Sequence, residues 1–113
     1  EGRTLLLLAR KAIEAHFSGK SFPMPPGSVL REKRGVFCTL RTRSGNVLRG
    51  CIGFPYPTLP LADALADAAV SAAFHDPRFK PLKQEELENI VVEVTVLTEP
   101  VLLEGDHADF PLK

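Results

Sequence analysis

The chain has 113 residues, 44% of them hydrophobic, which suits one domain whose modest core buries somewhat over about 60% of the unfolded surface. Its 14 basic and 14 acidic residues balance, so no overall field favours nucleic acid or an anionic membrane. The two cysteines lack the spacing of a zinc site. The sequence shows no signal peptide, and no apolar run approaches the about 18 residues that a membrane span needs. Together these observations predict a cytoplasmic protein.

The charges are distributed unevenly along the chain. Residues 31–49 hold six basic residues and one acid, Glu32, whereas residues 84–110 hold eight acids and no Lys or Arg. The basic part either binds an anion or pairs with the acidic part, and we favour pairing because solvated charge runs are common.

The first predicted element is a helix over residues 4–17. Its apolar side chains fall on one face, with Arg10, Lys11 and Glu14 on the other. Gly19 suits the left-handed conformation that ends helices. The prolines of residues 21–28 then predict a loop.

Residues 35–42 and 47–53 predict a β-hairpin that turns at Ser44-Gly45-Asn46. In the expected register Leu40 faces Gly50 and Cys38 faces Ile52; a slip of one residue would exchange the two faces on one strand. The register divides the side chains into an apolar face, with Val36, Cys38, Leu40, Leu48 and Ile52, and an opposite face, with Phe37, Thr39, Arg41, Arg49 and Cys51.

A second helix is predicted over residues 60–74, because Pro60 suits a first turn and the segment is rich in alanine. Its polar stripe comprises Asp63, Asp67, Ser71 and His75, and the residue before Pro77 ends it. Residues 84–89 predict one or two short helical turns. Residues 90–98 alternate as a strand that Pro100 closes. The order α-β-β-α-β predicts an α+β fold whose antiparallel or mixed sheet packs with helices.

The most informative segment is Leu48-Arg49-Gly50-Cys51-Ile52-Gly53. Two glycines inside a strand cost stability and make sense where a backbone or a ligand comes close. A guanidinium near a cysteine favours the thiolate, so Cys51 is either a nucleophilic or redox-active group beside an anion-holding Arg49, or a small packed residue between glycines. Cys38 is expected to pack in the core, without a disulfide to Cys51.

A second polar segment is His75-Asp76-Pro77-Arg78-Phe79. Asp76 and Arg78 flank a proline at a helix end, where they pair with each other, cap backbone groups or bind a polar ligand. Glu93 is expected to reach Arg41 or Arg49 as a cross-strand charge pair. We expect an exposed His75 and no metal site.

These segments resemble the AMMECR family, whose microbial members are also called AmmeMemoRadiSam system protein A. The resemblance runs through "LLLLARKAIEAHF", "GVFCTLR", "LRGCIG", "PLADALADAAVSAAFHDPRF" and "VVEVTVLTEP". It implies a single AMMECR-type domain over residues 1–113 with an antiparallel sheet. Since family members normally continue further, it also implies that the chain lacks their C-terminal part.

The resemblance also implies where a site lies, but no established biochemical function. The family's signature positions correspond here to a first cluster, Arg49, Gly50, Cys51, Ile52 and Gly53, and a second cluster, Asp76, Pro77, Arg78 and Phe79. Family association suggests Memo-like and radical-SAM proteins as partners in a modification pathway. No cofactor is implied.

Three hypotheses follow. The protein is an enzyme or an enzyme component with Cys51 as nucleophile or redox group, Arg49 as anion anchor and Asp76 or Glu93 as proton acceptor. Alternatively, it is a non-catalytic module that presents the LRGCIG strand and the DPRF corner to a protein partner. A nucleic-acid-associated protein using residues 31–49 is less favoured, because no exposed aromatics or RNA-binding motif accompany the basic residues.

Overall fold

The computed structural model describes residues 2–19 and 28–97. Along these residues run α1 (Gly2–Ser18), a first 3-10 helix (Ser28–Arg31), β1 (Gly35–Thr42), β2 (Leu48–Phe54), α2 (Leu61–Phe74), a second 3-10 helix (Gln84–Asn89) and β3 (Ile90–Leu97). The predicted α+β class and the order α-β-β-α-β are confirmed. The predicted loop lies outside the described residues except for Ser28, as do Thr98 and Pro100.

The three strands form one antiparallel sheet in the order β2-β1-β3, with β1 in the centre. The predicted hairpin register is confirmed, because Leu40 is opposite Gly50 and Cys38 is opposite Ile52. The register shifts just before the turn, where Arg41 is opposite Leu48. Such a bulge adds one residue to β2 and changes its twist locally.

Both helices pack on the inner face of the sheet. Val36, Cys38 and Leu40 of β1 are fully buried there, together with Leu8 and Leu65 from α1 and α2. Each fully buried leucine contributes roughly 1.5–3 kcal/mol of transfer free energy. The outer face carries the alternate side chains of the strands, which are partly or fully exposed, and none of them belongs to the core.

Gly50 sets the distance between α2 and the sheet. A Cβ atom at this position would overlap the backbone carbonyl of Ala72, so only glycine allows the approach. The facing side of α2 is built from small residues that are buried: Ala62, Ala64, Ala68, Ala69, Ala72 and Ala73. The helix begins at Leu61, one residue later than predicted, and the Leu61 backbone N–H donates to Glu32 O at 2.7 Å.

Candidate functional site

A tight turn follows α2 and positions Asp76 and Arg78. Pro77 prevents the helix from continuing, and the Phe79 N–H closes the turn by donating to Asp76 O at 3.0 Å. The Asp76 side chain supports the same turn, since its Oδ1 accepts from the Arg78 backbone N–H at 3.1 Å. The turn thereby directs both side chains towards β2.

The Asp76 carboxylate accepts four hydrogen bonds although the residue is only 4% exposed. Besides the turn N–H, Arg78 donates from Nε to Oδ1 at 3.0 Å and from Nη2 to Oδ2 at 2.8 Å, and the Cys51 backbone N–H donates to Oδ2 at 3.0 Å. The Arg78 side chain is the largest cause that holds the pKa of Asp76 well below its usual range; burial alone would raise it. Asp76 is therefore an ionised structural group and a poor general base.

Asp76 and Arg78 together cover the open edge of β2 at Cys51. Arg78 Nη2 donates to Cys51 O at 3.3 Å while Asp76 accepts the Cys51 N–H. The two side chains thus supply one acceptor and one donor, as a neighbouring strand would. Of the roles left open for the DPRF corner, ion pairing and backbone capping are the ones the geometry shows.

The Cys51 thiol lies on the outer face of the sheet. Its Sγ atom is 3.2 Å from Thr39 Oγ1, within hydrogen-bonding distance, and the residue is half-buried. Thr39 is opposite Cys51 on β2 and opposite Glu93 on β3. Cys51, Thr39 and Glu93 therefore form one row across the outer face, and the row contains a thiol, a hydroxyl and a carboxylate.

Arg49, the expected anion anchor, forms an ion pair with Glu86 in the structure. Arg49 Nε and Nη2 donate to Glu86 Oε1 and Oε2 at 2.9 and 3.2 Å, and this hydrogen bond is the first cause of the lowered pKa of Glu86. The Arg49 side chain is 15% exposed, so its charge is already used in a half-buried pair. The guanidinium that contacts Cys51 belongs to Arg78, 27 residues away in sequence.

The predicted cross-strand pair of Glu93 forms with Arg41, at 3.3 Å between Arg41 Nε and Glu93 Oε1. Arg49 and Arg41 thus both pair with acids from the segment that begins at Gln84, and Arg43 donates to the Glu88 carbonyl. Pairing between the basic and acidic parts is what the structure shows.

The other residues of the first cluster have packing roles. The Phe37 ring lies over Gly53, where a Cβ atom would overlap it, and Ile52 packs against the core from the inner side. With Gly50 against α2 and Arg49 on Glu86, Cys51 is the motif's side chain that is left on the outer face without a packing or ion-pair role. Sequence periodicity identifies Thr39 as its neighbour, but no sequence signal identifies Glu86.

The remaining candidates are not brought to Cys51. Cys38 is fully buried on the inner face, and burial, with the charge of Cys51 second, raises its pKa to about 12. Both cysteines are free. His75 is exposed and makes an edge contact with His16, with 6.5 Å between ring centroids. Within residues 2–19 and 28–97 no group of three or more His, Cys, Asp or Glu is arranged to hold a metal ion, and no helix is long and apolar enough to cross a bilayer.

Comparison with known proteins places this geometry in a family. The AMMECR1 family model matches residues 6–111. A protein of Methanothermobacter thermautotrophicus is 56% identical over 98% of this chain and 59% of its own length. The protein MJ0810 of Methanocaldococcus jannaschii is 48% identical over 95% of this chain and 54% of its own length.

A solved structure shows the same fold. The uncharacterized protein PH0010 from Pyrococcus horikoshii superposes with a TM-score of 0.81 and 47% sequence identity, over 96% of this chain and 56% of that protein. The chain spans a little over half the length of the curated relatives it matches. It belongs to the AMMECR1 family.

Proposed function

We propose that the protein is an enzyme component of a modification pathway in which Cys51 acts as a nucleophile on a substrate bound over the outer face of the sheet. The observation that carries this proposal is the Cys51 Sγ atom, which faces outward and lies 3.2 Å from Thr39 Oγ1. A hydroxyl in this position can donate a hydrogen bond to a thiolate and so stabilise it.

Arg78 supplies a positive charge at the Cys51 backbone, because its Nη2 donates to Cys51 O. Its pKa is raised, first by the hydrogen bond to Asp76 and also by attraction to the charges of Asp76 and Cys51, so the guanidinium stays charged. The side chain is 56% exposed, and its contacts with Asp76 and Cys51 use Nε and Nη2. Nη1 has no hydrogen bond to the residues that the structure describes, so it can bind an anionic group of a substrate, the role first expected of Arg49.

Asp76 and Glu93, the two acids of the site, differ in whether they can accept a proton. Asp76 is unsuited to accept a proton, because four donors and its lowered pKa keep it ionised and occupied. Glu93 is exposed and lies in the same row as Cys51 and Thr39, although Arg41 holds its carboxylate. The thiol proton leaves to solvent or to Glu93. Loss of this proton leaves Cys51 as the nucleophilic thiolate, and a free thiol fits the reducing cytoplasm that we propose for the protein.

Iodoacetamide labelling against pH, read at each cysteine by mass spectrometry, tests this proposal. Cys38 is the internal control, because it is fully buried and its pKa is raised to about 12. We expect Cys51 to be labelled in the folded protein and Cys38 to stay protected. Protection of both cysteines in the folded protein would rule out Cys51 as an accessible nucleophile.

A second candidate function is a non-catalytic module that binds protein partners. The specific observation in its favour is the rigid attachment of β2, whose edge is fixed by Asp76 and Arg78 and whose glycines are packed against Ala72 and Phe37. Memo-like and radical-SAM proteins are the partners that family association suggests. Full biological activity of the Cys51→Ser variant in a cell would favour this function over the nucleophile.

Nucleic-acid binding has less support. Three basic residues of the segment 31–49 already have carboxylate partners. These ion pairs are Arg34 with Glu32, Arg41 with Glu93, and Arg49 with Glu86. Phosphate contacts would have to break these pairs. Salt-dependent RNA binding in a filter assay would be needed to restore this alternative.

A further inference from the structure

The Asp76 carboxylate makes more contacts than its turn requires. One hydrogen bond, from the Arg78 backbone N–H to Oδ1, supports the turn after α2. The other three join the carboxylate to the Arg78 guanidinium, through Nε and Nη2, and to the Cys51 backbone N–H. Two bonds from one guanidinium to both oxygens of one carboxylate fix the plane of the guanidinium. Asp76 therefore fixes Arg78 and Cys51 relative to each other.

The ion pair of Asp76 and Arg78 differs from the other ion pairs in which charge faces solvent. The Arg78 side chain is 56% exposed, whereas the Asp76 side chain is 2% exposed. Four ion pairs form within residues 2–19 and 28–97, and in the other three the carboxylate is the more exposed partner. Those three pairs are Arg34 with Glu32, Arg41 with Glu93, and Arg49 with Glu86. Because an approaching ion meets the exposed charge first, the pair of Asp76 and Arg78 presents a positive end.

This positive end is held at Cys51. Arg78 Nη2 donates to Cys51 O at 3.3 Å. The hydrogen bond to Asp76 is the first cause that raises the pKa of Arg78, and attraction to Cys51 also contributes. An exposed arginine without an anchor samples many rotamers, so its charge has no fixed position. Here the anchor leaves Nη1 as the guanidinium nitrogen that has no hydrogen bond to the described residues.

We propose that Asp76 is a positioning residue, which orients Arg78 at Cys51 so that the site selects electrophiles that carry an anionic group. The inference rests on the proposed function, because it takes Cys51 as the nucleophile. The thiol proton has left to solvent or to Glu93 before the attack. The anionic group then binds Nη1 of Arg78, the Cys51 thiolate forms a bond to the electrophilic carbon, and the leaving group departs with the electrons of the bond that breaks. Asp76 stays ionised and acts only through Arg78 and the Cys51 backbone.

Two alkylating reagents of different charge test the proposal. Iodoacetate is anionic and iodoacetamide is neutral, and with both the Cys51 sulfur displaces iodide from a CH₂ carbon. The quantity measured is the ratio of the iodoacetate to the iodoacetamide rate constant at Cys51, by mass spectrometry, in the folded chain and in urea. The ratio in urea gives the intrinsic preference of the thiolate. We expect the ratio in the folded chain to exceed it about three- to tenfold, and added salt to reduce the excess.

Asp76→Asn tests the positioning role, because it keeps Arg78 but removes the carboxylate that orients it. The ratio should then fall to within about twofold of its value in urea. Asp67→Asn makes the same chemical change at an exposed position of α2 and should keep the wild-type ratio. If circular dichroism shows Asp76→Asn to be unfolded, Arg78→Lys takes its place. Lysine keeps the charge but lacks the fork that makes two bonds to Asp76, so its ratio should also fall.

The outcomes separate this inference from the proposed function. Protection of Cys51 from both reagents in the folded wild type would overturn both. Labelling by both reagents at the ratio found in urea would retain Cys51 as a nucleophile and overturn the selection of anionic electrophiles. A raised ratio that persists in folded Asp76→Asn, or in Arg78→Lys where that variant replaces it, would overturn the positioning role of Asp76.

Discussion

The backbone N–H of Cys51 donates a 3.0 Å hydrogen bond to Oδ2 of Asp76, 25 residues further along the chain. This bond makes the LRGCIG strand and the DPRF corner one structural unit, since Arg78 completes it at Cys51 O. The unit fixes the backbone of Cys51 from the side opposite β1. The thiol is not part of this unit and lies on the outer face, where Thr39 is its neighbour.

Replacement of Asp76 by asparagine should destabilise the fold in a pH-dependent way. The asparagine amide carries no charge, and its N–H groups would face the N–H donors of Cys51 and Arg78. For a buried charged acceptor, this loss lowers the unfolding free energy by about 2 kcal/mol or more. The folded-state pKa of Asp76 is lowered, so its contribution is present above the unfolded value of about 4 and is lost as pH falls below it.

Urea unfolding of wild type and Asp76→Asn across pH measures this effect. The difference in unfolding free energy should be largest near neutral pH and shrink in acid. Asp67→Asn, on the exposed side of α2, is the matched control and should change stability by less than about 0.5 kcal/mol. A difference that stays constant into acid would contradict the assignment of the charge to Asp76.

The two glycines of the motif should differ in their tolerance of alanine. At Gly50 the new Cβ meets the backbone carbonyl of Ala72, which moves only if α2 moves, so Gly50→Ala should cost about 3 kcal/mol. At Gly53 it meets the ring of Phe37, a side chain that can rotate, so Gly53→Ala should cost about 1 kcal/mol. Denaturant midpoints at equal m-values compare them, and equal losses would contradict this account.

Much of the fold follows from local patterns in the sequence. Periodicity and the Ser44-Gly45-Asn46 turn predict α1, the hairpin register and the faces of its strands, because side-chain alternation leaves few ways to bury Val36, Cys38 and Leu40. Proline and alanine content predict α2 to within one residue. The two glycines are correctly interpreted as points of close approach, although the neighbours are protein groups.

The hydrogen bonds and ion pairs of the site are harder to predict, because they join residues that are far apart in sequence. Arg49 is the nearest arginine to Cys51 in sequence, yet the bulge in β2 and the second 3-10 helix bring it to Glu86. Arg78 reaches Cys51 only because Pro77 turns the chain back after α2. The charge segregation of the sequence indicates pairing, but not which of several acids each arginine meets.

Thr39→Val should slow the alkylation of Cys51 while leaving its exposure nearly unchanged. Valine has almost the same shape as threonine but cannot donate to the thiolate, so the rate at neutral pH should fall about two- to fivefold. Thr95→Val, on the outer face of β3 opposite Phe37, is the control. If Thr95→Val slowed labelling as much as Thr39→Val, the effect would reflect general β-sheet disturbance and not the hydroxyl.

The final prediction separates the two arginines near the motif. Arg78→Gln removes the guanidinium that contacts Cys51, so iodoacetamide labelling of Cys51 at neutral pH should slow about three- to tenfold, and added salt should narrow the difference from wild type. Arg49→Gln breaks the pair with Glu86 but leaves Arg78 in place.

Labelling of Cys51 in the Arg49→Gln variant should therefore match wild type. Circular dichroism on both variants confirms that they are folded at the labelling temperature, which is needed because each substitution leaves a carboxylate without its partner. The reverse pattern, with slow labelling in Arg49→Gln and normal labelling in Arg78→Gln, would return the anion-anchor role to Arg49. It would also show that the Arg78 contact serves only to hold the strand edge.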